Sequence, residues 1–297
     1  MKGSLLIGLA VVVAGAGLGG SYWAFFVRPE LKTERAVAIE PETLLVATVT
    51  GAVEVAGPDG VWHLTHAGGK LSPRDLIRTG DDGAAQLRAA DGSTVKLLPG
   101  TEARVDELRR ELKRLHLGVG MVEAEVADDP SRVFEVALDD DGATARTRGA
   151  AFTASANGSG TSAVATRRGE VILSARGKEV VIRSGQFARV TPGGAPENPQ
   201  PLPSSLFLKV AWPPTTSPRS KLVVAGQTAP GARVKIGSHW VKVDHKGAYR
   251  TEIEVQDGVH ELQVHAVDVG GHVLDENSPK IVVDTKTDFR IHRPKWQ

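Results

Sequence analysis

None of the 297 residues is cysteine. That excludes disulfides, a thiol nucleophile, cysteine-ligated zinc and a lipid-modified N-terminal cysteine. Aromatic residues make up only 5% of the chain, and Trp62, Trp212 and Trp240 are the tryptophans in its folded body, little material for sugar stacking. The sequence has no G-x-S-x-G elbow, phosphate loop, dinucleotide fingerprint or H-E-x-x-H. The expectation is a protein that is not an enzyme, with no catalytic, cofactor-binding or metal residues. No sign of charge dominates, with 36 Lys and Arg against 35 Asp and Glu, so composition gives no reason to expect a nucleic-acid partner.

Long apolar runs are also missing, with one exception. Leu5 to Val27 carries no charge and at about 1.5 Å per residue is long enough to cross a hydrocarbon core of about 30 Å. Lys2 precedes it, which predicts a short cytoplasmic tail, residues 1–4, with everything after Arg28 outside. Ala14-Gly15-Ala16 offers the competing reading of a cleavable leader. The apolar sequence runs past that point into Tyr22, Trp23, Phe25 and Phe26, an interfacial aromatic belt, and favours a retained anchor. Gly15 and Gly19 form G-x-x-x-G, more simply read as small residues in a membrane helix than as a dimer face.

Glycine, by contrast, is plentiful at 33 residues, and much of it sits in turns between short alternating segments. After a charged, proline-bearing spacer (28–43), Ala85, Leu87 and Ala89 alternate with Ala84, Gln86 and Arg88, the period of a half-buried strand. Asp91-Gly92 then reads as a two-residue hairpin turn, with Thr94 to Leu98 returning. Strands are expected to continue over residues 134–138, 145–154, 163–166, 171–174, 180–183 and 187–191, with Asp139-Asp140-Asp141-Gly142 and Arg168-Gly169 among the intervening turns. Such strands without helices between them exclude a βαβ sheet and predict an all-β sandwich or coiled β-roll over residues 44–192.

One stretch fits two periods. In Asp106 to Leu117, Leu108, Leu112 and Leu115 lie at helical spacing and Leu115, Leu117 and Val119 at strand spacing; the neighbouring strands favour β. Arg109, Arg110, Lys113 and Arg114 within it form a basic cluster. With Glu107 and Glu111 interleaved, this reads first as a solvated face and second as a partner-binding site.

Five prolines between Pro192 and Pro203 predict a semi-rigid linker, residues 193–205, unable to join a ladder and able to hold its flanks up to about 40 Å apart. Seven further strands are expected in residues 206–286, the count of an immunoglobulin-like sandwich, followed by a loose tail, residues 287–297.

Several motifs in sequence order carry a family resemblance: G-x-V-x-V at Gly51, Trp62, G-x-x-L at Gly68, D-L-I-R-T-G at Asp75, D-G-S-T-V-K-L at Asp91, P-G-T at Pro99, Arg148-Gly149-Ala150-Ala151-Phe152 and Arg168-Gly169-Glu170-Val171. They resemble the periplasmic domain of the FecR family, and Trp62 matches a patterned position there and is expected in the core. Val224 to Ile236 and Val264 to Asp268 resemble bacterial Ig-like modules. The resemblance implies signalling or scaffolding at the bacterial inner membrane with the bulk of the chain in the periplasm. FecR regulators engage a sigma factor through tens of cytoplasmic residues, whereas residues 1–4 are too few for such an interface. The expectation is therefore a non-catalytic, membrane-tethered periplasmic binding or scaffold protein that docks another envelope protein. The alternative is a peptidoglycan- or glycan-binding envelope module.

Possible ligands for a metal read more simply as structure. His63 and His66 form H-x-x-H with no third ligand nearby, and His260 and His265 would face opposite sides of one strand. Asp139 to Asp141 lack the EF-hand spacing, which favours an acidic hairpin tip over calcium. Asp244 and Asp268 begin turns and suit side-chain caps of backbone N–H groups.

The topology has a direct test. A reporter fused after Gln297 that functions only in the periplasm is expected to be active, and a mature N-terminus at Gly17 would show the helix to be a cleaved leader.

Overall fold

The computed structural model describes residues 42–138 and 142–286; the anchor at 5–27, most of the spacer, the Asp139–Asp141 turn and the 287–297 tail lie outside them. Among the described residues every regular element is a strand. In chain order come β1 (Leu44–Thr50), β2 (Val53–Ala56), β3 (Trp62–Leu64), β4 (Lys70–Leu71), β5 (Leu76–Thr79), β6 (Ala84–Arg88), β7 (Thr94–Leu97) and β8 (Glu102–Leu108). Next are β9 (Leu112–Glu125), β10 (Val133–Leu138), β11 (Ala143–Thr147), β12 (Ala150–Ala156), β13 (Ser162–Ala175), β14 (Lys178–Arg183), β15 (Gln186–Val190) and β16 (Gln200–Pro201).

These strands form two layers that share two members. One layer runs β4-β1-β6-β7-β9-β12-β13-β15-β16. The other runs β3-β2-β5-β8-β9-β10-β11-β13-β14. The two 14-residue strands bend from one layer into the other. β9 pairs with β8 and β10 up to Val119 and with β7 and β12 from Gly120 onward. In β13 the switch falls at Gly169-Glu170, where Gly169 has φ +76°, and the register slips by one residue at Arg167, so the expected turn at Arg168-Gly169 is instead a bend beside a bulge in a continuous strand. β10 runs parallel to β9, the mark of a chain that coils from layer to layer.

Alternating residues of both layers meet in one core that includes Val46, Leu87, Leu97, Val105, Leu117, Val136, Phe152, Leu173 and Ile182. Phe134 and Phe152 meet edge to face there, 6.4 Å between centroids. The Asp106 to Leu117 ambiguity resolves as a β8–β9 hairpin. Ordinary alternation sends Leu115 and Leu117 inward.

Three further expectations need correction. Asp91-Gly92 is not a two-residue turn, because only Gly92 of the pair has positive φ, +86°. The Ala89 N–H bonds to Ser93 O at 2.9 Å and the Gly92 N–H to Ala89 O at 3.1 Å, the three-residue loop in which a tight turn is followed by a left-handed glycine. Trp62 is half-buried and outside the core clusters; it lies under the Arg78 guanidinium at 4.1 Å, and Arg78 in turn pairs with Glu54 at 2.6 Å.

The third correction concerns the proline run. Gln200 and Pro201 do join a ladder, on β15 at the sheet edge, where a missing N–H is tolerated. The non-proline donors bind the segment back: the Glu197 N–H to Arg189 O at 2.9 Å and the Leu202 N–H to Gly185 O at 2.9 Å. Arg189 also pairs with Glu197, so the segment is a strap rather than an extended spacer.

Ten shorter strands follow: β17 (Leu208–Ala211), β18 (Thr216–Ser217), β19 (Lys221–Thr228), β20 (Arg233–Ile236), β21 (His239–Val241), β22 (Ala248–Glu254), β23 (Gly258–His260), β24 (Gln263–Val267), β25 (Val273–Asn277) and β26 (Ile281–Val283). They form three small sheets, β17-β19-β22, β18-β26-β23 and β21-β20-β24-β25, around a second core that includes Leu222, Val224, Val234, Tyr249, Val264 and Ile281. The expected strand from His260 to Val267 is broken at Glu261-Leu262 and divided between two sheets.

The two cores are not held apart. Met121, Ala163 and Ala165 on the outer face of the first layer pack with Val269, flanked by Leu98, Phe187, Leu202 and Val267. Because this contact covers that face, all seven residues of β12 are buried. Polar bonds fix the register: Asn157 Nδ2 to Val243 O at 2.7 Å, Ser155 Oγ to Gly231 O at 3.2 Å and Lys235 Nζ to Asp81 O at 2.7 Å. At the centre is Arg233, 5% exposed, which donates to Pro99 O at 2.8 Å and Gly100 O at 2.7 Å and lies 3.9 Å from the Trp240 ring. Burial pulls its pKa down to about 10, partly opposed by Asp81, so it remains charged at neutral pH.

Gly100 has φ +64°, and a Cβ there would run into the Trp240 indole. Gly100→Ala is expected to destabilise the protein by about 1–3 kcal/mol and to red-shift Trp240 emission relative to a Trp240→Phe background. Calorimetry is expected to show residues 42–286 melting in one transition; two separated transitions, or unchanged Trp240 emission, would contradict this packing.

Candidate functional site

The β8–β9 hairpin leaves Arg109 and Arg110 exposed in its turn and separates Lys113 from Arg114 by strand alternation. Arg114 points to the outer face of the second layer, while Lys113 points inward. Lys113, with a side chain 5% exposed, reaches the Ala89–Ser93 turn and pairs with Asp91 at 2.7 Å and with Glu42 at 3.2 Å. Arg109 at the tip pairs with Glu107 at 2.8 Å. Arg114 bonds Glu135 Oε1 at 2.7 Å and lies 3.5 Å from Glu107. The four residues therefore do not form one basic face.

Arg114 instead belongs to a larger feature. The outer faces of β9, β10, β11 and β13 line an open groove of about 790 Å³ with Arg114, Glu135, Arg146 and Glu170, closed at one end by Asp128, Asp129 and Arg148. Two motif segments converge there. Gly149 gives passage to Asp128, whose side chain a Cβ would strike, and Gly169 lies against the Gly149 carbonyl. Arg146 pairs with Glu179 at 3.0 Å and Arg183 with Glu170 at 3.1 Å, so charges of both signs alternate across the groove. Hydrogen bonds from the Ser131 hydroxyl and N–H hold the Asp129 carboxyl below its usual range, keeping it ionised. Such a surface offers ion-pair and hydrogen-bond partners to a polar chain laid along it.

The histidines are dispersed. His260 contacts Gln256 O at 2.7 Å, His265 Asp275 at 2.8 Å, His272 Asp268 at 3.0 Å and His239 Asp81 at 3.5 Å. Among the described residues no three metal-binding side chains converge. Asp244 and Asp268 cap their turns as expected, accepting the N–H groups of Lys246, Ala248 and His272. Arg148 and Glu170 stood in the motifs but were given no binding role, and Glu135 and Arg146 were not singled out from sequence. Their signal is the polar half of the alternation in β10 and β11.

Residues 75–172 match the model of the family described as FecR protein, a span that takes in the groove. Two crystal structures of a candidate anti-sigma factor from Parabacteroides distasonis are 18% identical, with a TM-score of 0.39 over 48% of this chain and 68% of that one. A polysaccharide lyase is 11% identical with a TM-score of 0.21, over 80% of this chain and 40% of that one. A bacterial ice-binding adhesin is 10% identical with a TM-score of 0.19, over 82% of this chain and 86% of that one. These structural likenesses are too distant to carry an argument. Among curated proteins, none matches.

The Asp91–Lys113 contact sets an acid limit on stability. Burial raises the Asp91 pKa, but hydrogen bonds from Lys113 and from the Ser93 N–H and hydroxyl outweigh it and hold the net value below the ordinary 3.8. A carboxylate depressed on folding stabilises fully above its unfolded pKa, and that stability is lost as pH falls through the folded value. Asp91→Asn is expected to cost roughly 2–3 kcal/mol at pH 7 and to flatten the loss of stability below about pH 4. An acid limb identical to the parent's in a pH series of urea melts would refute the assignment.

Proposed function

We propose that the chain is a non-catalytic periplasmic scaffold of the FecR type, tethered to the bacterial inner membrane by residues 5–27, which docks another envelope protein in a signalling or assembly complex. The observation that carries this reading is the groove in which the Arg148-Gly149 and Gly169-Glu170 segments meet beneath a rigid sheet face. Its walls fall largely within the segment that matches the FecR family model. A groove built on strands rather than loops is preformed, so little ordering entropy opposes binding. Its alternating charges suit an extended polar segment of a partner better than an apolar helix. Residues 206–286, read as an Ig-like module, brace this domain. Nothing in the groove pairs a nucleophile with a base, and the reading assigns it recognition alone.

The test uses the full chain in cells, with a photo-crosslinking residue at position 137 on the groove face. A discrete adduct with one envelope protein is expected. The Arg146→Glu, Arg148→Glu double variant is expected to reduce it at least about tenfold, the equivalent of about 1.4 kcal/mol, with the melting temperature unchanged. Lys246→Glu, on a distant turn, is expected to leave the adduct intact. An adduct insensitive to the groove variant but lost with the distant one would place docking elsewhere.

A further inference from the structure

A second concave surface lies on the last ten strands and is built differently. On the outer face of the β17-β19-β22 sheet, Ala211, Ala225 and Arg250 stand side by side in register, so two small side chains leave a floor beside one long cation. The connection from Trp212 to Ser220 rises over this floor and carries Pro213, Pro214 and Pro218. Together they enclose an open trough of about 570 Å³. The wall is fixed: β18 within it pairs with β26, the Val282 N–H bonds Thr215 O at 2.8 Å and the Val255 N–H bonds Ser220 O at 2.8 Å. Trp212 anchors it by packing on the second core.

The charged groups that line this trough are all cations. Arg219, Lys221 and Arg250 line it, and no carboxylate does. Glu252 and Glu254 stand on the same face of β22, across from Val223 and Lys221, but outside the lining, and neither forms an ion pair with Lys221 or Arg250. Elsewhere most arginines on the sheet faces are neutralised, as in Arg78–Glu54, Arg114–Glu135, Arg146–Glu179 and Arg183–Glu170. Three exposed cations left without carboxylate partners around a rigid hollow are a complement to an anionic ligand.

We propose that this trough binds an acidic polysaccharide, a sugar chain bearing carboxylates. Its shape and position select that occupant. A concave site cannot press three cations onto a flat lipid surface. The backbone of β19 under the floor is paired on both sides, so a peptide lying on the floor gains no main-chain bonds from that strand. Recognition falls to guanidinium groups, an ammonium, the Thr216 hydroxyl and the flat C–H faces of prolines, which match carboxylates, sugar hydroxyls and sugar ring faces. The site lies apart from the docking groove and does not rest on that reading.

The experiment measures binding of the full chain to polygalacturonate by calorimetry, beside neutral dextran, poly-L-glutamate and vesicles rich in phosphatidylglycerol. Polygalacturonate is expected to bind and dextran not to. Polyglutamate is expected to bind at least about tenfold more weakly, and raising salt to about 0.5 M is expected to abolish binding by screening. The Arg219→Ser, Lys221→Ser, Arg250→Ser triple variant is expected to lose at least about tenfold in Kd with the melting temperature unchanged. Arg250→Lys is expected to retain most binding, and so is the Arg146→Glu, Arg148→Glu groove variant, which separates this site from the other. Equal affinity for polyglutamate, binding to vesicles alone, an unaffected triple variant, or no binding to polygalacturonate would each overturn the proposal.

Discussion

The turn from Leu98 to Thr101 is the point at which the architecture is pinned. On one side, the Thr101 hydroxyl both donates to Met121 O and accepts from the Met121 N–H, at 3.1 Å each, and Gly120 has no Cβ because Thr101 occupies the space. That contact holds β9 at its bend between layers. Thr79 fastens the turn from below, its hydroxyl donating to Leu98 O at 2.7 Å and accepting the Thr101 N–H at 2.9 Å. On the other side, the Pro99 and Gly100 carbonyls receive Arg233. Buried hydroxyls thus convert one four-residue turn into the joint between both layers and the last ten strands.

A buried guanidinium with no carboxylate partner costs desolvation that hydrogen bonds to two carbonyls and the Trp240 ring only partly offset. Its value lies in direction rather than strength. Five fixed donors accept few geometries, so Arg233 specifies one docking angle, while Met121, Ala163, Ala165 and Val269 supply the apolar contact. Both concave surfaces, the charge-alternating groove and the cationic trough, are therefore carried on one body with a defined relative placement.

Much of this was legible in the sequence and some of it was hidden by chemistry that acts at a distance. Period-2 alternation located β6, β7, β10 and the β8–β9 hairpin, and motif order pointed to the family whose model matches residues 75–172. The proline run misled because proline content describes what a segment cannot donate, whereas Glu197 and Leu202 supplied the donors that strapped it down. The contact with the second core was written in β12, AAFTASA, which carries no charge on either face, the pattern of a strand covered twice. Lys113 and Arg114 looked alike in sequence and separated only when strand parity sent one inward to Asp91 and the other outward to Glu135. The groove escaped notice because its members, from Arg114 to Glu170, are brought together by the coiling of β9 and β13 and share no local spacing.

The composition of the covered face has a consequence for the order in which the chain is made. Synthesis delivers the two layers before the strands that cover them, so Ser155, Ala163 and Ala165 face solvent for as long as the last eighty or so residues take to follow, a matter of seconds at about 5–20 residues per second. A face of Leu or Ile at these positions would be an open invitation to neighbouring nascent chains. Alanine and serine give the interface close backbone approach in the finished protein and confine the large apolar groups of the uncovered face to Met121 and its neighbours Leu98 and Phe187.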